Sequence, residues 1–157
     1  MSGEVVYAFR VMRLPLLDAG GSEIGKIADV VVAPGRVGQA PRVMGFVASS
    51  QRRRIFVNSA RVAELDTDGA RLRSWDLDLH PFKRRPGETL IGEELIDRSI
   101  GTGETVSDIG LVRVTDGRVE TWEISTVRLA SRQALRRRSS FRLVEWNEVA
   151  QLFATHA

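Results

Sequence analysis

The sequence predicts an all-β protein built from two tandem small β-barrels with short helices, related to each other by pseudo-symmetry. Two observations carry this. Short runs rich in Val, Ile and Phe alternate at near-even spacing with Gly, Pro and Asp-Gly turn signals, the pattern of small barrels. The chain also repeats itself. Leu17-Asp18 is followed eleven residues later by Asp29, inside Ile27-Ala28-Asp29-Val30, and Ile96-Asp97 is followed eleven residues later by Asp108, inside Val106-Ser107-Asp108-Ile109, at an offset of 79. Each half closes alike, on Ile55-Phe56-Val57-Asn58 leading to Val62 and on Arg142-Leu143-Val144-Glu145 leading to Val149.

Taken in order, residues 5–12 read as a first strand, rich in β-branched and aromatic side chains. Gly20-Gly21 makes the tight turn of a hairpin between 14–17 and 23–32. Residues 26–33 and 43–48 are Val-rich strands bounded by Pro34-Gly35 and by Gln39-Ala40-Pro41. Strands at 55–58 and 70–75 follow, with a helical turn over 59–65 and Asp68-Gly69 as a turn signal between them. In the second half Gly101-Thr102-Gly103 takes the place of Gly20-Gly21, and 106–114, 119–129 and 141–146 are strands, with Asp116-Gly117 turning the chain. Residues 147–154 read as a closing helix with Asn147 as N-cap. Pro86 and Gly87 mark a linker, which divides the chain into 1–82, a linker at 83–88, and 89–157.

Composition narrows the function. Two units of this size each bury only about 60% of their unfolded surface, so the halves are expected to pack on one another. There is no cysteine, which removes disulfides and thiolate chemistry and fits a reducing compartment. The N-terminus Met1-Ser2-Gly3-Glu4 lacks the features of a secretory signal, and the apolar stretch 27–33 is interrupted by Asp29. The chain therefore reads as soluble and cytoplasmic, without direct membrane insertion. Net charge is +3, with the cations gathered in Arg52-Arg53-Arg54, Lys83-Arg84-Arg85 and Arg136-Arg137-Arg138.

The residues Gly25-Lys26-Ile27-Ala28-Asp29-Val30, Arg42-Val43-Met44-Gly45-Phe46-Val47 and Arg54-Ile55-Phe56-Val57, in this order, resemble the PRC-barrel family, to which the ribosome maturation factor RimM also belongs. The chain is more closely similar to the N-terminal tandem PRC-barrel region of actinobacterial proteins that continue into MgtE-type and CBS domains. Glu94-Leu95-Ile96-Asp97-Arg98, Ala134-Leu135-Arg136-Arg137-Arg138 and Glu145-Trp146-Asn147-Glu148-Val149 carry that likeness, over about residues 5–153. The second copy departs from the family pattern, with Thr105-Val106 where the first has its Gly-Lys pair. The resemblance implies a regulatory or scaffolding module linked to magnesium homeostasis.

Catalytic constellations are poorly represented. A nucleophilic triad would need His80 or His156 as base, and His80 precedes Pro81 in a linker-like stretch while His156 is one residue from the end. Asp66-Thr67-Asp68-Gly69 hints at a calcium loop, but position twelve is Leu77 instead of Glu. Gly101-Thr102-Gly103-Glu104 lacks the Gly-Lys-Ser/Thr of a phosphate loop. The repeated Asp18, Asp29, Asp97 and Asp108 suit magnesium in principle, yet recurrence at one repeat position is explained more simply by capping hydrogen bonds. No motif calls for a cofactor, a resident metal or an enzyme.

The arginines are the best binding candidates, because guanidinium forks take carboxylates and phosphates two-point. Arg52, Arg53 and Arg54, and Arg136, Arg137 and Arg138, each precede the closing strand of a repeat and are expected to form equivalent partner-binding loops; the competing reading is solvated hairpin tips that discourage edge pairing. Nucleic acid is disfavoured, since Trp75, Trp122, Trp146 and Tyr7 are not interleaved with the basic clusters. The expected function is a non-catalytic adaptor that docks a protein partner, with a membrane magnesium-transport component as the context the resemblance implies. An RNA- or ribosome-associated module and a small-ligand or metal-sensing barrel are the alternatives.

Overall fold

The computed structural model describes residues 5–76, 79–116, 119–132 and 139–153. In chain order these form β1 (Val5–Tyr7), α1 (Ala8–Val11), β2 (Pro15–Leu17), β3 (Glu23–Ala33), β4 (Arg42–Ser50), β5 (Arg53–Asn58), a 3-10 turn at Ser59–Arg61, β6 (Val62–Asp66) and β7 (Gly69–Leu72). They continue through β8 (His80–Pro81), β9 (Thr89–Leu90), a π turn at Ile91–Leu95, β10 (Glu104–Asp116), β11 (Val119–Arg132), β12 (Ser139–Glu145) and a 3-10 segment at Trp146–Phe153. The protein is all-β, its strands curling into a half-barrel. They pair in the order β1-β10-β11-β4-β3-β2-β7-β6, with β12 joined to β11, β5 to β4, β8 to β5 and β9 to β3.

The duplication is visible in the register. β3-β4-β5 and β10-β11-β12 are antiparallel meanders in which Val57 faces Phe46 and Val144 faces Val127. Both first strands carry a bulge immediately before the repeated aspartate, between Ile27 and Asp29 and between Val106 and Asp108. The segments preceding the meanders are exchanged. β1 lies on β10 of the second repeat, Tyr7 opposite Gly110, whereas β9 lies on β3 of the first, Leu90 opposite Val31. Gly110 and Val31 are themselves 79 positions apart, so the exchange is reciprocal. One principal core draws on both repeats, and within it Trp122 meets Phe46 edge-on at 6.1 Å.

Several elements differ from the sequence reading. Of 5–12 only Val5–Tyr7 is strand; the chain then makes one helical turn that buries Ala8 and Val11 and donates the Phe9 N–H to Asp108 Oδ1 at 3.0 Å. Of 59–65 only Ser59–Arg61 is helical, because Val62–Asp66 pairs with β7. The strand expected at 70–75 ends at Leu72, and Trp75 is 70% exposed with its ring against Gly20. The closing helix is a 3-10 segment broken at Val149; Asn147 lies inside it, and the N-terminal cap is instead the Glu148 carboxylate accepting the Glu145 N–H at 2.8 Å.

The predicted turns at Gly20-Gly21 and Asp68-Gly69 are present. Gly21 has φ +92°, and Asp18 Oδ1 accepts the Gly20 and Ser22 N–H groups. Asn58 caps the Ser59–Arg61 turn by accepting the Ala60 N–H at 2.9 Å. Asn58→Ala is expected to cost about 1 kcal/mol, measurable as a lowered urea midpoint with unchanged slope.

Candidate functional site

The β4–β5 hairpin places the first arginine cluster. Ser50 pairs with Arg53, and the two residues between them, Gln51 and Arg52, have φ of +50° and +66°, the mirror-image turn that matches strand twist. Arg52 is thus a hairpin tip, whereas Arg53 and Arg54 belong to β5 and point to opposite faces by strand alternation. Arg53 lines an open cleft of about 750 Å³ with Glu23, Lys26, Ser50, Ile55 and Leu79. Arg54 lies over the Phe82 ring, 5.5 Å from its centroid, and its carbonyl accepts the Phe82 N–H at 2.9 Å. The three arginines therefore share one hairpin but do not converge on one point. Arg136, Arg137 and Arg138 lie outside the described residues.

β8 brings a second set of cations to this edge, one that sequence reasoning noticed as a charge cluster but did not join to a site. Its pairing of Ile55 with Pro81 and Phe56 with His80 carries the following residues past β5. A cleft of about 730 Å³ results, lined by Phe56, Arg61, His80, Lys83, Arg85 and Glu88 among others. Arg84 is tied to Glu94, whose second oxygen accepts the Leu90 N–H. No sequence signal marked a two-residue strand containing proline, and without it the two clusters have no reason to be read together.

The carboxylates of Asp18, Asp29 and Asp108 accept backbone N–H groups. Asp29, 4% exposed, accepts Val30 N–H and Gly92 N–H at 2.7 Å each through Oδ1 and Glu93 N–H at 3.1 Å through Oδ2. Burial raises its pKa above the ordinary aspartate value, with these N–H groups pulling the other way. Asp108 Oδ1 accepts Phe9 N–H and Ile109 N–H. Capping was the expected role; that Asp29 and Asp108 each cap a turn of the other repeat was not legible locally. Asp97 sits at φ +69° and donates its N–H to the Val106 carbonyl. Among the described residues no group of three or more His, Cys, Asp or Glu side chains could hold a metal ion.

The remaining candidates resolve individually. His80 is exposed in β8 beside the 730 Å³ cleft, and His156 lies outside the described residues. Asp66 Oδ1 accepts the Asp68 N–H, forming an ordinary turn. Trp122 is core. Near β12, Arg142 grips Glu104 through two hydrogen bonds of 2.8 and 2.9 Å, which lowers the Glu104 pKa and raises that of Arg142. No helix among the described residues is long and apolar enough to cross a membrane. No family model, curated protein or solved structure matches the chain.

Proposed function

We propose that this chain is a non-catalytic adaptor or regulatory module that docks a protein partner, in the setting of magnesium transport or homeostasis. The observation that supports it most is the arginine-tipped β4–β5 hairpin, whose Arg53 lines one open cleft, while the residues after β8 bring Lys83 and Arg85 to a second cleft along β5. Such a rim suits an acidic segment of a partner, because exposed guanidinium groups favour carboxylates and steer encounter without forming a reaction centre. Arg136, Arg137 and Arg138 would extend the same chemistry in the second repeat. The magnesium setting comes from the PRC-barrel resemblance, with a membrane transport component as the partner it suggests.

The test compares wild type with an Arg52→Ala, Arg53→Ala, Arg54→Ala variant as bait in nuclease-treated, detergent-solubilised extract of the source cells. Wild type should retain a membrane transport component, and the variant should retain roughly tenfold less, as expected for three rim charges of about 0.5 kcal/mol each. Equal retention by a variant of unchanged melting temperature would remove the hairpin from the interface. Recovery of ribosomal proteins alone would replace the adaptor reading with an RNA-related one.

A further inference from the structure

The two repeats differ at one sheet edge. In the first, β8 covers the outer edge of β5, and the Phe82 ring stacks on Phe56 with centroids 6.5 Å apart. Together they close a small satellite cluster of Val31, Val47 and Leu90. The register puts β12 where β5 stands, so that Phe141 and Leu143 hold the places of Arg54 and Phe56, each 87 positions on. Among the described residues β12 pairs with β11 alone. Phe141 and Leu143 are 51% and 57% exposed, side by side on one face of that edge.

We propose that the open edge of β12 receives an extended segment of a partner protein, antiparallel to it, with an aromatic side chain over Leu143 and a carboxylate beside Arg128. The internal copy supplies the pairing: Phe82 N–H bonds the Arg54 carbonyl, and the Phe141 carbonyl is its counterpart. The seat is altered in one respect that sets the ligand's charge. Arg128 stands where the first repeat has Val47, its guanidinium 4.0 Å from the Phe141 ring centroid. Arg142, by contrast, is already neutralised by Glu104. A second copy of this chain offers no carboxylate to Arg128 in the antiparallel register that matches Phe141 with Leu143, which sets Arg142 against Arg142, each already held by its own Glu104. Strand addition gives affinity through the main chain and specificity through alternate side chains. This surface is separate from the arginine hairpin, and it rests on the adaptor reading only in drawing its occupant from another protein.

The experiment selects random twelve-residue displayed peptides against the full chain, then measures the enriched peptides on wild type, Leu143→Lys, Phe141→Lys and the Arg52–Arg54 alanine variant. The expected result is a shared aromatic residue with an acidic neighbour, and binding weakened roughly tenfold by either lysine. The arginine variant should bind as wild type does, and amide exchange in β12 should slow on binding. Both lysines replace exposed side chains, and unchanged melting temperatures confirm the fold. Absence of enrichment overturns the proposal, as do peptides that bind both lysine variants undiminished. A wild-type dimer in sedimentation that Leu143→Lys dissociates also overturns it, by making a second copy the occupant.

Discussion

Asp29→Ala is expected to destabilise the protein by about 3 kcal/mol, since it leaves the buried Val30 N–H and the part-buried Gly92 and Glu93 N–H groups without their carboxylate acceptor, at about 1 kcal/mol each. The fit leaves no room for a substitute. A Cβ on Gly92 would lie 3.1 Å from both Asp29 oxygens and 2.7 Å from Met12 Sδ, so the residue against the carboxylate is held to glycine. Asp108→Ala, which removes the equivalent cap from the more exposed Phe9 N–H, should cost only about 1 kcal/mol.

The effect carries a pH signature. Burial lifts the folded pKa of Asp29 above its ordinary value of 3.8. Between the unfolded and folded pKa the native state therefore holds more protons, and Asp29 contributes stability that falls as pH rises through this window. Wild type gains on acidification what the alanine variant cannot, so the deficit should widen as pH falls from 7 towards 4. Urea unfolding at both pH values decides it: a deficit under about 1 kcal/mol contradicts the capping account, and one that narrows on acidification shows that the N–H groups outweigh burial.

Trp122→Ala is expected to cost about 4 kcal/mol, in the range for removing a large aromatic from a packed core. The indole is 2% exposed, meets Phe46 of the first repeat edge-on, and lies beneath the Arg113 guanidinium at 5.6 Å. Arg113 also bonds the Ala63 carbonyl at 2.9 Å and pairs with Glu120, so losing its aromatic floor loosens the contact between repeats. Because the core is continuous, far-UV ellipticity and the fluorescence of the remaining tryptophans should report one shifted transition. Two separated transitions would show that the repeats hold themselves up independently.

The all-β class and the duplication were legible because both rest on local alternation and on recurrence at fixed spacing. Turns set by Gly21 and Asp66 were legible for the same reason: their chemistry lies within four residues. The elements that escaped are those fixed from far away. Ala8–Val11 looks like strand by composition, and its Phe9 N–H finds an acceptor 99 positions downstream. His80–Pro81 is too short and too proline-bound to read as strand, yet it assembles the basic cleft. The divergence of Arg53 and Arg54 was available in principle, since adjacent strand residues face opposite ways; placing both in a loop hid it.

The reciprocal exchange of β1 and β9 has the form of a two-fold homodimer written into a single polypeptide. A half-length ancestor with this architecture would have completed its sheet only by borrowing from a twin. Within one polypeptide the same exchange is an encounter inside a molecule, at an effective concentration on the order of millimolar and independent of abundance. Two copies in one chain also need not be identical. Val31 and Val47 of the first repeat correspond to Gly110 and Arg128 of the second, so that one seat is filled by the chain itself and the other is left to the guest proposed above.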